Sequence, residues 1–283
     1  MAFVVVGCVG FALFAYSLRP APEPQPCALP SKVGELGAVC GFRDPEDLDY
    51  VASLDLVLVS EEGLGGRLLA LRPTDLAAGP VVLWPHAPSG GRAPLQGTGP
   101  RGDCAPPDDP EHYAPHGLSV LEPSTPGDPI RVAAVFHHLD AQGVVRDAVQ
   151  LFELVDGGDT LRWQGCFRYP DHAIGNDLAW LGDGSLLATR FVRADTPDEI
   201  QRGILLGSLG LETGDVLKWS PLRGWAPVPH TASAIPNGIA VARDGQEFYF
   251  ADSGGRRVAI VRWKGDDNEI QYVDVGGAPV NLT

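Results

Sequence analysis

The chain has 283 residues, which is long enough to bury a substantial hydrophobic core without a stabilising disulfide or metal ion. Its composition, with 44% hydrophobic and 20% charged residues, excludes a wholly disordered protein, and its 35 glycines and 26 prolines disfavour a helical bundle. The net charge of −15 excludes a general basic surface for phosphate backbones, so we predict an acidic, turn-rich β protein with no nucleic-acid partner.

The N-terminal segment differs from the rest of the chain. Residues 2–18 are almost entirely apolar, and this run is shorter than the ~20 residues of a comfortable membrane span. We therefore predict that residues 1–18 form a secretory signal peptide or an uncleaved signal-anchor. Residues 19–34 are rich in proline and are predicted to be a stiff linker, with the folded domain at 35–283. The protein is accordingly expected to be secreted, extracellular or associated with a membrane through residues 2–18.

The five cysteines include no CxxC pair, so a cysteine zinc site is unsupported. Cys27 and Cys40 flank the start of the domain and are candidates for a disulfide in a secreted protein. Cys166 lies in an apolar run and is predicted to be a buried small hydrophobic side chain. The spacing leaves the pairing open.

Short apolar runs rich in β-branched residues recur from Phe42 onward, separated by Gly, Pro or Asp. Asp-Gly steps at Asp156, Asp183 and Asp244 lie between such runs, and they are typical of β-hairpin turns. One helix is predicted at residues 196–210, because Thr196 and the proline after it form a favourable helix start. The chain is therefore predicted to be all-β with one helical insertion.

A longer repeat is superimposed on these strands. Four segments start with a polar residue followed by alternating apolar positions, and they begin at His116, Asn176, Asn237 and Asn281. The starts are separated by 60, 61 and 44 residues, whereas a four-stranded propeller blade takes ~40–50 residues plus any inserted loops. The repeat predicts a β-propeller whose polar strand starts converge on one central channel.

An acidic segment precedes the first predicted strand, with Asp44, Glu46, Asp47 and Asp49 inside six residues. Such clusters are most often solvated loops. Here amide side chains recur at the strand starts, and Ca²⁺ takes 6–8 oxygen ligands from carboxylates, amides and backbone carbonyls. A calcium site assembled from distant segments is therefore a candidate beside the solvated loop.

Histidines offer a second candidate chemistry. His116 follows a proline, and the pair His137-His138 ends an apolar strand. Neighbouring residues of a strand point to opposite faces, so at most one of this pair faces the channel. A histidine in the channel is a candidate general base that activates water near a cation, and the alternative is an ordinary surface or hydrogen-bonded histidine.

Six segments of the stretch 35–283 follow one another in the order PEDLDY, APHGLSV, VFHHLDA, GNDLAWL, LGSLGLETGDVLKWSP and IPNGIAVARDG. In this order they resemble the paraoxonase/arylesterase family. It implies a six-bladed calcium-dependent β-propeller, incomplete at its C-terminus because the last blade is missing. It also implies a hydrolase of carboxylic esters or lactones, whose partner is a small-molecule ester or lactone.

The same resemblance implies two Ca²⁺ ions and a histidine dyad. The residues that match ligands of the catalytic calcium are Glu46, Asn176, Asn237 and Asn281. Those that match the structural calcium are Asp47, Asp177 and the backbone carbonyl of Leu118. His116 and His138 match the dyad that activates the hydrolytic water.

One position departs from the family. An aspartate normally precedes the last asparagine, and here that position is Val280, which leaves Glu46 as the only charged side chain matched to the catalytic ion. This departure favours an alternative, a catalytically silent, calcium-stabilised propeller that acts as a binding module. A third hypothesis is a related propeller activity, such as that of gluconolactonases or strictosidine-synthase-like enzymes.

Overall fold

The computed structural model describes residues 39–85, 104–125, 127–138, 140, 144–194, 196–265 and 267–282. The predicted signal segment at 1–18 and the predicted linker at 19–34 lie outside these residues. Within them the chain forms sixteen strands and one α-helix, joined by turns and short 3-10 segments.

The strands form four antiparallel sheets of four, which we call blades 1 to 4. Blade 1 contains β1 (Pro45–Val51), β2 (Leu56–Glu61), β3 (Leu68–Leu71) and β4 (Val81–Trp84). Blade 2 contains β5 (Tyr113–Leu121), β6 (Ile130–His138), β7 (Ala148–Val155) and β8 (Thr160–Arg168). Blade 3 contains β9 (Ala173–Trp180), β10 (Leu186–Arg193), β11 (Asp215–Ser220) and β12 (Gly224–Pro227). Blade 4 contains β13 (Pro236–Val241), β14 (Glu247–Asp252), β15 (Arg257–Lys264) and β16 (Asp267–Asp274).

The first strand of each blade lies innermost, and β1, β5, β9 and β13 are neighbours in that order around the axis. The protein is thus a four-bladed β-propeller, and the prediction of six blades with the last one missing is wrong. The innermost strands begin 68, 60 and 63 residues apart, so inserted loops and one helix lengthen each blade. The segment around Asn281, which we expected to begin a further blade, instead runs beside β13, where Gly238 N–H donates to the Val280 carbonyl at 2.6 Å.

Three hydrophobic clusters lie between successive blades, as the alternating apolar positions require. Between blades 1 and 2, Trp84 meets Phe136 edge to face, with ring centroids 4.9 Å apart. Between blades 2 and 3, Phe167 stacks on Trp219 at 4.0 Å. Each fully buried aromatic or aliphatic side chain contributes about 1.5–3 kcal/mol. These clusters fix the blades against one another and hold their inner ends at a common axis.

The predicted helix is confirmed as α1 (Pro197–Ser208). Thr196 caps its start: its hydroxyl accepts the Glu199 N–H at 3.3 Å, and the Glu199 carboxylate accepts the Thr196 N–H at 3.2 Å. Ile200 and Ile204 are buried in a small cluster with residues of blades 2 and 3. The helix therefore covers the inner end of blade 3, at the side where the polar strand starts lie.

The expected anchoring through an N-terminal hydrophobic helix is not supported. In the part of the chain that the structure describes, no helix is long and apolar enough to cross a membrane. The apolar run at 2–18 lies outside that part.

A disulfide joins Cys104 to Cys166, with Cα atoms 6.0 Å apart. Cys166 is buried, as predicted, but it is half of this bond rather than a free hydrophobic side chain. Cys40 also takes part in a disulfide, and its predicted partner Cys27 lies outside the described residues. The Cys104–Cys166 bond fastens the segment before β5 to the outer strand of blade 2.

Removing the Cys104–Cys166 bond should destabilise the fold. The bond spans 62 residues, and a loop of this size restricts the unfolded chain enough to contribute about 2–4 kcal/mol to the free energy of unfolding. We expect Cys104→Ser and Cys166→Ser to lower that free energy by similar amounts, measured by urea denaturation. The double variant should lose no more than either single variant, because one substitution already breaks the bond. An unchanged urea midpoint in all three would contradict this assignment.

Candidate functional site

Each innermost strand begins with one polar side chain at an equivalent position. These are Glu46 in β1, His116 in β5, Asn176 in β9 and Asn237 in β13. The strand register is irregular at each of them, as in a β-bulge, and a bulge redirects the side chain that it carries. All four line one cavity at the axis. The repeat thus brings four of the predicted site residues together.

The cavity has a volume of about 500 Å³. Its polar lining includes Glu46, Glu62, His116, His137, Asn176 and Asn237. Its apolar lining includes Val145, Ile174, Phe191, Ile204, Ile235 and Val280. A mostly apolar cleft with a few converging polar groups is the usual form of a small-molecule site.

Three buried polar atoms in the cavity have no hydrogen-bond partner among the described residues. They are Asn176 Oδ1, Asn237 Oδ1 and His116 Nδ1. His116 Nδ1 lies 3.5 Å from the Glu46 carboxylate, and His116 Nε2 lies 3.9 Å from the Glu62 carboxylate. Buried acceptors are normally paired, so these two amide oxygens, in one cavity with Glu46, could hold a cation.

Two further carboxylates belong to Asp47 and Asp177, which directly follow Glu46 in β1 and Asn176 in β9. Asp47 accepts the N–H of Leu118 at 2.8 Å, and Asp177 accepts the N–H of Ile239 at 2.8 Å, so each links its blade to the next. Burial raises the pKa of Asp47 to about 7. Burial also raises the pKa of Asp177 well above its usual range, and the charge of Asp47 raises it further. Two buried carboxylates that repel each other fit a cation between them.

Gly117 occupies the corresponding position in β5, where a side chain would collide with Asp177. A Cβ on Gly117 would lie 2.5 Å from the Asp177 Cα and closer still to its Oδ1. Leu118, whose carbonyl is the third predicted ligand of the structural ion, directly follows this contact. The three residues matched to that ion, Asp47, Asp177 and Leu118, are therefore brought to one place.

We expect Gly117→Ala to destabilise the protein by about 1–3 kcal/mol, because the new methyl group overlaps the β9 backbone and cannot be relieved by a side-chain rotation. Gly182→Ala is the matched control, since Gly182 is exposed and a Cβ there meets nothing within 4 Å. The control should change stability by less than about 0.5 kcal/mol. Thermal unfolding of both variants measures the difference, and equal midpoints would disprove the close approach of β5 and β9.

His137 enters the cavity with His116, and their ring centroids lie 4.9 Å apart. His138 points to the other face of β6, where its ring stacks on Tyr113 at 4.6 Å and lines a separate cavity of about 350 Å³. The structure therefore pairs His116 with His137, whereas the family resemblance had matched His138. Burial and the nearby Arg168 lower the pKa of His138.

His137 is held by a buried carboxylate. Its Nδ1 lies 2.9 Å from Asp147 Oδ2, and Oδ2 also accepts the N–H of Gly175 at 2.7 Å. Burial by itself lowers the pKa of His137, but the charge and hydrogen bond of Asp147 outweigh it, so the pKa is raised above its usual value. His137 is thus the one cavity histidine with a direct hydrogen bond to a carboxylate among the described residues.

Asn281 and Val280 lie between β13 and the start of β1. The Asn281 amide nitrogen donates to the backbone carbonyl of Glu46, and Asn281 is not among the residues that line the cavity. Val280 does line it, at the place where the family has an aspartate, and it is 57% exposed. The C-terminal segment therefore connects β13 to the start of β1 and puts an apolar side chain at the cavity.

Glu62 and Asp147 were not predicted from the sequence, and of the pair His137-His138 the family resemblance had selected His138. Glu62 follows the end of β2, and the pairing of β1 with β2 places it near Glu46. A prediction that β1 and β2 form a hairpin would therefore have placed Glu62 near Glu46. Asp147 comes to His137 only through the β6–β7 pairing, for which no motif stands in the sequence.

The described residues contain no group of three or more His, Cys, Asp or Glu side chains arranged to hold a metal ion. The residues that could hold a cation offer amide, backbone and carboxylate oxygens, which are the ligand types of calcium rather than of zinc or iron.

Comparisons with known proteins give structural similarities at low sequence identity. No protein-family model matches the sequence, and no curated protein matches it. The structure is similar to a gluconolactonase from Xanthomonas campestris, with 16% identity and a TM-score of 0.47, covering 93% of this chain and 76% of that one. It is similar to a luciferin-regenerating enzyme, with 13% identity and a TM-score of 0.47, covering 86% of this chain and 63% of that one.

A chain of a nidogen–laminin complex is also similar, with 10% identity and a TM-score of 0.49, covering 84% of this chain and 67% of that one. This chain therefore spans less than two thirds of the luciferin-regenerating enzyme and about two thirds of the nidogen–laminin chain. At these identities and TM-scores the similarities carry no argument about function, which has to be argued from the cavity.

Proposed function

We propose that the protein is a calcium-dependent hydrolase of carboxylic esters or lactones. The observation that carries the proposal is the pair of bare amide oxygens, Asn176 Oδ1 and Asn237 Oδ1, in a mostly apolar cavity that also holds Glu46 and two histidines. Apolar walls suit an uncharged ester or lactone ring. The unpaired oxygens suit a cation, because without one they have no partner among the described residues.

Glu46, Asn176 and Asn237 are the residues that would hold the catalytic calcium. Such an ion, when bound, supplies Lewis-acid polarisation of a carbonyl oxygen. Asp47, Asp177 and the Leu118 carbonyl would hold a structural calcium, whose charge would offset the two buried carboxylates. Asn281 donates to the Glu46 backbone, so its proposed role is to fix β1 in place.

The chain's own side chains supply the acid–base chemistry. His137 and His116 would take a proton from the hydrolytic water and return it to the leaving alcohol. Asp147 and the N–H of Gly175 hold the first histidine, and Glu46 and Glu62 lie near the second. Ile174, Phe191 and Ile204 line the same cavity and supply an apolar wall against which an ester or lactone would lie.

A catalytically silent propeller is the second candidate, and Val280 favours it. This residue leaves Glu46 as the one carboxylate in the proposed catalytic set, and fewer charged ligands lower calcium affinity. On this hypothesis the structural calcium stabilises the fold, and the cavity only binds a ligand. Val280→Asp separates the two candidates, because hydrolysis that appears only in this variant would mean that the native chain is the silent form.

The decisive experiment is an assay of phenyl acetate and a panel of lactones with the full chain, in calcium and after chelation. We expect hydrolysis that is lost on chelation, restored by added calcium and lowered by His116→Gln. Hydrolysis that is indifferent to both chelation and His116→Gln would overturn the mechanism. Absence of hydrolysis, together with a calcium-dependent rise in melting temperature, would support the silent propeller.

A further inference from the structure

Asp147 is a buried carboxylate between two blades. It lies just before β7, and its side chain is 0% exposed. One oxygen, Oδ2, accepts from His137 at 2.9 Å and from the Gly175 N–H at 2.7 Å. Gly175 belongs to β9 of the next blade, so the carboxylate is fixed from two sides. The other oxygen, Oδ1, is buried without a hydrogen-bond partner among the described residues.

We infer that Asp147 is a positioning residue for the proposed hydrolysis, which holds His137 with its Nε2 available to the cavity and stabilises the imidazolium that forms there. The inference rests on the proposed function. It concerns a residue outside every sequence segment that carries the family resemblance.

The contact with Asp147 sets the tautomer of His137. An ionised carboxylate can only accept hydrogen bonds, so the proton of a neutral His137 ring lies on Nδ1, which faces Asp147. The ring lines the cavity, and its remaining nitrogen, Nε2, is then an acceptor. Without the carboxylate both tautomers become available, and a share of the rings would carry the proton on the wrong nitrogen.

The second step is the charge that forms during reaction. A water O–H bond breaks, an Nε2–H bond forms, and the hydroxide oxygen bonds to the carbonyl carbon, while Asp147 keeps its negative charge. A buried imidazolium is costly unless an anion is close, and Asp147 provides one at hydrogen-bond distance. The addition moves the C=O π pair onto the carbonyl oxygen. This pair then re-forms the C=O bond as the bond from carbon to the leaving oxygen breaks, and the leaving oxygen takes the proton from Nε2, which returns the ring to its starting state.

The other charged groups around His137 do not replace this contact. Glu46 and Glu62 also act on His137 through their charges, but each of them lies beside His116. On the far side of Asp147, the second cavity is lined by Arg146 and Arg168. Asp147 alone combines full burial, a direct bond to the ring and a backbone donor that fixes its own orientation.

The test compares Asp147→Asn with Asp140→Asn in the full chain with calcium, using an ester or lactone that the wild-type protein hydrolyses. Asparagine keeps the size of the side chain and removes its charge. We expect Asp147→Asn to lower kcat about 100-fold with KM within about twofold, because only the charge on the transition state is affected. Asp140 pairs with Arg146 at 3.4 Å, so its substitution removes a charge from the same connection without touching His137.

A double-mutant cycle separates positioning from a general loss of structure. If Asp147 acts through His137, the variant with both His137→Gln and Asp147→Asn should be no slower than His137→Gln alone. A further loss in the double variant would overturn the inference. Retention of wild-type kcat by Asp147→Asn would also overturn the inference and leave the proposed function intact. A wild-type protein that hydrolyses none of the substrates would contradict both the inference and the proposed hydrolysis.

The unaltered protein provides a measurement that needs no folded variant at position 147. In its proton NMR spectrum, the Nδ1 proton of His137 should give a far-downfield signal that exchanges slowly, because the bond to Asp147 is buried. The signal is assigned by its loss in His137→Gln. Its absence from the wild-type spectrum would contradict the inference whatever the activity.

Discussion

The substitution His137→Gln is expected to lower kcat for phenyl acetate or a hydrolysed lactone by about 100-fold or more, whereas His138→Gln leaves it within about twofold. Positioned acid–base groups contribute about 10²–10⁴ to a rate, and His137 is the ring that shares the cavity with His116. His138 stacks on Tyr113 at the other face of β6. The measurement is kcat for both variants in saturating calcium, beside their melting temperatures.

These two substitutions form a matched pair, because they change the same residue type at adjacent positions of one strand. A larger loss at 138 than at 137 would restore the assignment made from the family resemblance and contradict the orientation of β6. Equal large losses would indicate that β6 itself is disturbed, and the melting temperatures detect that case.

The difference between these histidines shows where sequence reasoning reaches its limit. The apolar run before them predicts the strand, and alternation predicts that only one of them can face the axis. Which one it is depends on the register of β6 against β5, where Ala114 pairs with His137. A shift of one residue exchanges the two faces, and no local pattern fixes it.

The polar strand starts at His116, Asn176 and Asn237 were predictable because they repeat, and equivalent positions of a propeller converge. Glu46 was not part of that repeat and was matched only through the family resemblance. The number of blades was not predictable from the same repeat, since loops of unknown length stand between the strands. The position of Asn281 shows the consequence, because a residue that looked like a fourth strand start instead binds the backbone of Glu46.

Long-range pairings were hidden for a different reason. Cys104 and Cys166 are 62 residues apart, and their bond depends on how a loop crosses blade 2. Asp147 likewise meets His137 only after β6 and β7 pair. Neither contact produces a local pattern of spacing or composition, so the sequence shows these residues but not which residue each of them contacts.

The cation-free protein should lose stability as the pH rises from about 4 to about 7. Burial raises the pKa of Asp47 from 3.8 to about 7, so in this range the folded state binds a proton that the unfolded state has released. Stability then falls with rising pH, by about 1.4 kcal/mol per pH unit for such a group, or about 4 kcal/mol over the window. The raised pKa of Asp177 acts with the same sign. Denaturant unfolding in chelator at several pH values measures this slope.

Calcium should reverse this loss, because a divalent ion between Asp47 and Asp177 offsets the charges that burial makes costly. At about 100 times its dissociation constant, a ligand that binds only the folded state adds about 2.7 kcal/mol. We therefore expect calcium to raise the melting temperature strongly at pH 7.5 and weakly at pH 4.5, where protons compete for the carboxylates.

The substitution Asp177→Asn should reduce the calcium-induced rise at pH 7.5 to less than half, since it removes one of the two charges that hold the ion. Asp128→Asn is the control, because Asp128 is exposed and its substitution leaves the buried pair intact. A flat pH profile in chelator, with no response to calcium in any variant, would mean that Asp47 and Asp177 do not form a cation site. A steep pH profile without a calcium response would mean that the two buried carboxylates destabilise the fold and bind no calcium. The response to calcium at pH 7.5 therefore decides whether Asp47 and Asp177 form a cation site or are two buried carboxylates without one.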